Sequence, residues 1–296
     1  EFHSAIINHI RPELGAIRLD ALSPHTIQRF YNGLGEEKDG KPGLSPKSIK
    51  IVHGVLHKVM GQAVALGYLQ SNPADKCTLP KVVRKELNPL DEDAITRFME
   101  TIKGHRFELV FLVTLFTGMR QGEVLGLAWD CVDFDRGTIS IRRQLQKATD
   151  STGEYRLLTP KNGKGRTITP APFVMELLQT QRRRQAEWKL AIGSAWEDSG
   201  LVFTNEMGRH LMPHVVYKAF KKVAASIGCS DTRFHDLRHS YAVAAIKSGD
   251  DIKTVQGNLG HATAAFTLDV YGHVTDQMKR ESAQRMENFI RGVAAG

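Results

Sequence analysis

The chain has 296 residues, which is enough for about two domains that each bury a core of their own. Forty Lys and Arg residues against 32 Asp and Glu residues leave a net charge of +8, which favours a polyanionic partner such as nucleic acid. Cys77, Cys131 and Cys229 are far apart and odd in number, which fits a reducing compartment and gives no zinc-binding spacing. No signal-peptide pattern and no apolar run long enough to cross a bilayer are seen, so no membrane partner is expected.

The first 80 residues are predicted to be helical. In Ser23-Pro24 and Ser45-Pro46 the serine is the expected helix cap, and the proline takes the first helical position. Gly67 is expected to end the second of these helices. The positions with a helical period in that helix are Ile51, Val55, Leu56 and Val59. Because residues 2–10 already have a helical pattern, we expect an earlier segment of protein before residue 1.

A basic, helix-breaking stretch at residues 77–90 is predicted to link two domains. Its prolines and basic residues are Pro80, Lys81, Arg84, Lys85 and Pro89. Such a linker suits a strap across a DNA backbone, and a solvated connector is an equal alternative. Residues 1–85 carry 12 Lys/Arg and 7 Asp/Glu, a charge of +5, so the first part is the more basic per residue. The predicted boundaries are 1–80 for a helical domain, 81–89 for the linker and 90–296 for a second domain.

The second domain is predicted to begin near Leu90-Asp91, with Asp91 as a helix cap. The stretch Phe107–Phe116 is apolar on nearly all sides, so it is expected to be a core helix. It should end at Thr117-Gly118, and Gly122–Leu127 begins another helix. Arg120 is therefore predicted to lie on the turn between two helices.

Three strands are predicted after these helices. Thr138–Ile141 alternates in hydrophobicity, and Tyr155–Leu158 and Arg166–Thr169 flank Lys161–Gly165, which predicts a hairpin. The polar stretch Gln146–Glu154 is expected to be a loop or an addition to the minimal fold. The rest of the chain is predicted to be helical to its end. The expected fold class is therefore mainly α with a small antiparallel β-sheet (α+β).

Two arginines are candidates for holding a phosphate. A phosphodiester develops negative charge on its non-bridging oxygens during transfer, and a guanidinium can bind that charge bidentately while it stays protonated. Arg120 and Arg238 are the candidates. Glu123, three residues after Arg120, can orient it from the same turn, or can be an ordinary helix ion pair.

Three histidines accompany the arginines. His235 and Arg238 share one face of a helix start, and His235 can accept or relay a proton. His239 forms a nominal metal-binding pair with His235, but neither a carboxylate nor a third histidine completes a zinc pattern, so we expect a buried structural histidine and no metal. His261 follows Leu259-Gly260, a predicted helix end.

A lysine and a tyrosine complete the candidate site. Lys161 at the predicted hairpin tip could reach a leaving 5′ oxygen as a general acid, or could be a solvated turn lysine. Tyr271, ten residues after His261, can attack phosphorus through its phenol oxygen.

In order and separation, this set of residues resembles the catalytic set of the tyrosine recombinase family, the phage-type integrases. The matching motifs are Gly118-Met119-Arg120-x-x-Glu123, Lys161, His235-x-x-Arg238, Leu259-Gly260-His261 and Tyr271. The stretch from Ile7 to Pro24 is similar to the start of the family's core-binding helical domain. The most similar members are integrases of phages and conjugative transposons from Gram-positive bacteria. The resemblance covers nearly all of the chain.

The resemblance implies a site-specific recombinase that integrates or excises a mobile element through a 3′-phosphotyrosine intermediate and a Holliday junction. It implies no cofactor, neither metal nor ATP. The implied partners are double-stranded DNA and three further copies of the chain on that DNA, with an accessory excision factor left open. The implied location is the bacterial cytoplasm, at the nucleoid. The alternatives are a type IB topoisomerase with the same residues and a catalytically silent DNA-binding protein on the same fold.

Two further expectations concern binding surfaces. The basic residues expected to contact DNA are Lys47, Lys50, Lys81, Arg84 and Lys85. The stretch Thr275–Arg291 is predicted to be a helix with an uneven apolar face. That face is formed by Met278, Ala283, Met286, Phe289 and Ile290. We expect this helix to dock on a neighbouring protomer in the DNA-bound assembly.

Overall fold

The computed structural model describes residues 2–38, 40–83, 88–148, 153–160, 163, 165–260 and 275–294, the last of these as helix backbone with side chains from 282 to 293. The chain divides into two compact units, Glu1–Glu86 and Leu87–Gly296. Within the described ranges, no helix is both long and apolar enough to cross a membrane.

The helices and strands are labelled here in chain order. The helices are α1 (Phe2–Ala5), α2 (Arg11–Leu14), α3 (Pro24–Gly35), α4 (Pro46–Ala65), α5 (Glu92–Thr101), α6 (Glu108–Thr117), α7 (Gln121–Leu125), α8 (Pro172–Ile192), α9 (Pro213–Ser226), α10 (Asp236–Lys247), α11 (Ile252–Leu259) and α12 (Thr275–Ala294). The strands are β1 (Val132–Asp133), β2 (Thr138–Ile141), β3 (Gln144–Lys147), β4 (Tyr155–Leu158) and β5 (Arg166–Ile168). The predicted fold class, mainly α with small antiparallel sheets, is confirmed.

Serine caps begin the two long helices of the first unit. The Ser23 hydroxyl accepts a hydrogen bond from the Thr26 amide at 3.1 Å, and the Ser45 hydroxyl accepts one from the Ser48 amide at 3.2 Å. Each cap satisfies an amide that has no partner inside the helix. Both predicted helix starts are confirmed, and Gly67 follows the end of α4 with a φ of +80°, as expected of a C-terminal stop.

The buried face of α4 differs from the predicted one. Val55 and Leu56 are buried, but Ile51 and Val59 are 38% and 49% exposed. Ile51, Val55 and Val59 are spaced four residues apart, and each such step rotates the side-chain direction by about 40° around the helix axis. Successive members of this series therefore move off the face that packs on the core. The observed core positions combine steps of three and four residues and are Ile49, Val52, Val55, Leu56, Met60 and Ala63. All of them except Ala63 pack with Ile27, Phe30 and Tyr31 of α3 in one cluster.

The segment after α4 returns to the first unit. The Gln28 side chain of α3 accepts a hydrogen bond from the Thr78 amide at 2.7 Å and donates one to the Thr78 carbonyl at 3.0 Å. Cys77 and Leu79 pack against the same core. The first residues of the stretch 77–90 therefore belong to this unit, while Lys81 is exposed.

In the second unit, α6 lies at the centre of the core. All of its residues except Glu108 and Phe116 are buried, as its apolar composition predicts. Phe111 of α6 packs against Phe98, Phe220 and Phe234 with ring centroids 6.0 to 6.1 Å apart. Asp91 caps α5 by accepting the Ala94 amide at 2.7 Å, which confirms the predicted start.

The strands form two separate antiparallel sheets. One has the order β1-β2-β5, with Ile139 opposite Ile168, and the other pairs β3 with β4. The prediction of a hairpin between β4 and β5 is therefore wrong. The buried residues Ile139, Ile141 and Ile168 select β2 as the partner of β5, because burial of one strand face fixes the pairing. Strand β3 was expected to be a polar loop from Gln146 onward, and it holds only one buried residue, Leu145.

Residues 196–212 are not helical, contrary to the prediction that the rest of the chain is helical. They contain isolated bridges between Ala128 and Leu201 and between Thr204 and His210. The buried side chain of Gln185 on α8 donates to the carbonyls of Leu201 and Val202, both at 3.0 Å. These bonds satisfy backbone groups that a helix would have paired internally.

Candidate active site

The turn between α6 and α7 is built on Gly118. Gly118 has a φ of +64°, a left-handed conformation that glycine adopts without strain. A Cβ atom at this position would lie 2.6 Å from Leu259 Cδ2 and 2.6 Å from Tyr241 Cδ1. The glycine is therefore required both by the turn and by the close approach of α10 and α11. Two residues later, Arg120 is the extended N-cap residue of α7, as predicted.

Glu123 holds Arg120 through two hydrogen bonds. The Arg120 amide donates to Glu123 Oε2 at 2.9 Å, and Arg120 Nη1 donates to Glu123 Oε1 at 2.7 Å. The Arg120 side chain is 39% exposed, whereas the Glu123 side chain is 1% exposed. Glu123 is thus a buried carboxylate that fixes a guanidinium at the surface, which is more than an ordinary helix ion pair.

Arg166 is the second partner of Glu123, and it is not among the site residues predicted from the sequence. Arg166 Nη1 and Nη2 donate to the two Glu123 oxygens at 2.9 and 2.8 Å, and Arg166 Nε donates to the Asn258 carbonyl at 2.7 Å. Burial alone would raise the pKa of Glu123, but Arg166 and then Arg120 lower this pKa to about 2. One sequence signal could have indicated that Arg166 points toward the interior. Alternate residues of a strand share a face, and Ile168, two residues after Arg166 on β5, is buried.

Arg238 lies in the interior, near the start of α10. Arg238 is only 1% exposed, and its Nη1 donates to the Gly118 carbonyl at 2.6 Å. Its Nη2 donates to the Leu259 carbonyl at the end of α11. One guanidinium thereby joins the turn before Arg120 to the end of the helix that precedes His261. The predicted phosphate-binding arginines differ in environment, since Arg120 is partly exposed and Arg238 is buried.

His235 is the N-cap residue of α10 and lies near both arginines. Although part of its surface is exposed, desolvation by the protein around the ring lowers the pKa of His235, and the positive charges of Arg238 and Arg120 lower this pKa further. The imidazole is therefore neutral at neutral pH and can accept a proton. Its ring centroid lies 5.1 Å from that of His239.

His239 is buried, as the sequence predicts for a structural histidine. Burial, followed by the neighbouring His235, lowers the pKa of His239 to about 4. Among the described residues, no group of three His, Cys, Asp or Glu side chains could hold a metal ion. Asp236 between the two histidines is engaged by Arg233, whose Nη2 donates to Asp236 Oδ1 at 2.7 Å.

Helix α11 ends where the sequence predicts. Gly260 has a φ of +65°, and its amide donates to the Gln256 carbonyl at 2.8 Å. The two last carbonyls of the helix, those of Asn258 and Leu259, accept hydrogen bonds from Arg166 and Arg238. Positive groups at a helix C-terminus are electrostatically favourable.

Several predicted site residues lie outside the described residues. These are the site residues Lys161, His261 and Tyr271 and the linker residues Arg84 and Lys85. Of the other predicted DNA contacts, Lys47 and Lys50 are exposed on α4, and Lys81 is exposed after it. The structure therefore brings together Arg120, Glu123, His235 and Arg238.

A model of the phage integrase family matches residues 88–278, which span α5 to α11 and include Arg120, Arg166 and Arg238. The chain belongs to the phage integrase family. It is a tyrosine recombinase, an enzyme that cuts and rejoins DNA strands at specific sites.

Two relatives illustrate the range of similarity. A XerC-like tyrosine recombinase of Caldanaerobacter subterraneus subsp. tengcongensis is 31% identical over 303 residues, which cover 96% of this chain and 75% of the relative. The ICEBs1 integrase of Bacillus subtilis is 25% identical over 251 residues, which cover 84% of this chain and 67% of the relative. The resemblance to integrases of mobile elements from Gram-positive bacteria therefore includes a Bacillus example.

Solved structures share the fold. The Tn1549 transposon integrase, solved in complex with transposon right end DNA, matches with a TM-score of 0.79 at 20% identity, covering 96% of this chain and 92% of that one. A lambda integrase tetramer bound to a Holliday junction matches with a TM-score of 0.63 at 18% identity, covering 89% and 70%.

Proposed function

We propose that this tyrosine recombinase cleaves DNA through Tyr271, with Arg120 and Arg238 stabilising the charge of the phosphate. The observation that carries the proposal is the convergence of two arginines on a neutral histidine. Arg238, three residues after His235 at the start of α10, donates to the carbonyl of Gly118, two residues before Arg120, and both arginines lower the pKa of His235. A phosphodiester there would meet two fixed cations and a proton acceptor.

In the proposed reaction, the Tyr271 phenol oxygen attacks the phosphorus atom and the bond from phosphorus to the 5′ oxygen breaks. The tyrosine proton passes to His235, and Lys161 supplies a proton to the leaving 5′ oxygen. Arg120, Arg238 and His261 hold the non-bridging oxygens while their charge rises. Attack by a 5′ hydroxyl of an exchanged strand reverses these steps, and the phosphotyrosine bond conserves the energy.

The test is adduct formation by Tyr271→Phe. The substrates are nicked duplexes tiled across the joined ends of the mobile element, from which the short cleaved strand diffuses away and leaves the protein attached. We expect wild-type protein to form a covalent adduct, and Tyr271→Phe to bind the same duplex without forming one. Tyr155→Phe, which removes a phenol oxygen from strand β4, is the matched control. An adduct with Tyr271→Phe would refute the assignment of the nucleophile.

We further propose that residues 1–80 and 90–296 bind the same duplex, with the basic linker 81–89 along its backbone. Support comes from the exposed lysines Lys47, Lys50 and Lys81. Each lysine–phosphate contact releases counterions, so affinity should fall steeply as salt rises. A reverse-charge variant of these lysines should reduce that slope. An unchanged slope, or full affinity of residues 90–296 alone, would refute two-unit binding.

We also propose that four copies assemble on two duplexes during strand exchange, as in the lambda integrase tetramer on a Holliday junction. The exposed apolar residues of α12 support a contact between copies. Among them are Met286, Phe289, Ile290 and Val293.

A further inference from the structure

Arg166 connects two parts of the site that are far apart in sequence. Its fork of two nitrogens binds Glu123, 43 residues earlier, and its third nitrogen binds the carbonyl of Asn258, 92 residues later. The Arg166 side chain is only 13% exposed. All three guanidinium nitrogens are therefore engaged in a geometry that arginine offers and lysine does not.

Each end of this connection leads to a candidate catalytic group. Glu123 binds both the amide and the guanidinium of Arg120, so Arg166 fixes the carboxylate that orients Arg120. Asn258 is the residue before Leu259-Gly260-His261 in the sequence, so its carbonyl lies at the end of the helix that precedes His261 in the chain. Arg166 thus helps to fix both the Arg120 guanidinium and the end of α11, and it is not expected to touch DNA itself.

Gly260 is fitted to the arginine. A Cβ atom at Gly260 would lie 2.9 Å from Arg166 Cδ and 3.2 Å from its Nε. Gly257, one turn earlier in α11, has no atom within 4 Å of its built Cβ. The end of α11 at Gly260 is therefore packed on the Arg166 side chain. One turn earlier, at Gly257, no side chain of the described residues packs against the helix in this way.

We propose that Arg166 is a positioning residue, which holds the Arg120 turn and the His261 end of α11 at a fixed separation for attack on the phosphate. The inference rests on the proposed roles of Arg120 and His261. A misplacement of about 1 Å in such a site can cost about 100-fold in rate. Arg166 therefore affects the cleavage rate more than DNA affinity.

The first test compares Arg166→Lys with Arg136→Lys. Arg136 is an exposed arginine in the turn between β1 and β2 of the same sheet. On the nicked duplexes described above, we expect Arg166→Lys to form the adduct about 10- to 100-fold more slowly in a single turnover. Its DNA dissociation constant should stay within about threefold of wild type, since Arg166 has no expected DNA contact. Arg136→Lys should resemble wild type in both measurements.

Tryptophan fluorescence separates positioning from loss of the fold. The three tryptophans, Trp129, Trp188 and Trp196, all lie in the second unit, so its unfolding can be followed selectively. The proposal requires the slow variant to be fully folded under the assay conditions. It is overturned if Arg166→Lys cleaves within about twofold of wild type, or if its slow cleavage is matched by a fraction of unfolded protein.

Amide hydrogen exchange tests the connection without a DNA substrate. We expect Arg166→Lys to speed exchange at the Gly260 amide, because the end of α11 loses one of its two arginine contacts. Gly260→Ala should reproduce slow cleavage by displacing Arg166, whereas Gly104→Ala, which has a similar left-handed strain but nothing among the described residues within 4 Å of its built Cβ, should not. Unchanged exchange at Gly260 in Arg166→Lys would overturn the inference. Absence of an adduct from wild-type protein on every duplex would instead refute the proposed function, and the exchange result would still decide the connection.

Discussion

The buried guanidinium of Arg238 donates from Nη1 to the carbonyl oxygen of Gly118 at 2.6 Å. This bond joins the first turn of α10 to the glycine turn that ends α6. Because Nη2 of the same arginine binds the Leu259 carbonyl, three chain segments meet at one side chain. Arg238 is therefore a structural centre of the second unit as well as a candidate phosphate ligand.

Gly118 gives the first prediction, with Gly104 as its control. Both glycines have positive φ, +64° and +72°, but a Cβ at Gly104 has nothing within 4 Å. Gly104→Ala should cost only the left-handed strain, about 1–2 kcal/mol of the free energy of unfolding. Gly118→Ala adds overpacking against Leu259 and Tyr241, about 1–3 kcal/mol more. Denaturant unfolding followed by tryptophan fluorescence measures both, and equal losses would contradict the packing argument.

Arg120 and Arg238 are predicted to separate catalysis from stability. Arg120→Ala should slow adduct formation about 10²–10³-fold, as expected for loss of one oxyanion donor, with little loss of stability because the side chain is partly exposed. Arg238→Ala should slow it similarly and also destabilise the fold, since each buried carbonyl left unsatisfied costs about 1–3 kcal/mol.

The comparison requires both rates and unfolding free energies for the two variants. If Arg238→Ala is as stable as wild type, its two carbonyl contacts have no energetic importance. If Arg120→Ala cleaves at nearly the wild-type rate, Arg120 is a structural residue only.

The sequence predicts those parts of the site that depend on local signals. The turn that carries Arg120 follows from a glycine after an apolar helix, and the end of α11 follows from Gly260. The predicted contact between Glu123 and Arg120 spans only three residues of one turn. Local pattern is sufficient in these cases because the interacting groups belong to the same or adjacent elements.

Long-range pairing was not predictable in the same way. Arg166 meets Glu123 and Asn258 across 43 and 92 residues, and no local pattern specifies these distances in space. Strand β3 escaped prediction because its stability comes from backbone pairing with β4 and from a single buried residue, Leu145. The wrong hairpin between β4 and β5 has the same origin, since the turn residues between them are a local signal whereas the choice of β2 as partner is a tertiary one.

His239, the buried histidine of α10, predicts a loss of stability in acid. The folded pKa of His239, about 4, lies below its ordinary value of 6.5, and the pKa of His235 is also lowered. The unfolded chain therefore binds protons that the folded chain does not, so stability is complete above about pH 6.5 and falls as pH approaches 4. A shift of this size in His239 corresponds to about 3–4 kcal/mol.

His239→Gln should therefore flatten the acid dependence of unfolding between about pH 6.5 and 4. The control is His214→Gln, which removes an exposed histidine on α9 of the same unit. Tryptophan fluorescence during denaturant unfolding at several pH values gives the slope for each variant. Equal slopes for wild type and His239→Gln would show that His239 does not remain neutral in the fold.

Helix α12 gives the last prediction, which concerns assembly. Phe289 and Ile290 are 66% and 53% exposed, and adjoining apolar residues of the helix are exposed as well. Burial of such residues against a neighbouring copy would favour the four-protomer assembly by about 25 cal/mol for each Å² of apolar surface removed from water.

We therefore expect deletion of residues 277–296, and the double variant Phe289→Ser, Ile290→Ser, to bind a single site normally but to lose synapsis and recombination. The control double variant, Gln284→Ser with Asn288→Ser, removes a 3.2 Å hydrogen bond between two exposed polar residues and makes a similar change in helix propensity. Sedimentation of the DNA-bound assembly and recombination between two sites are the measurements. Normal tetramers and normal recombination by the deletion variant would exclude docking of α12 between protomers.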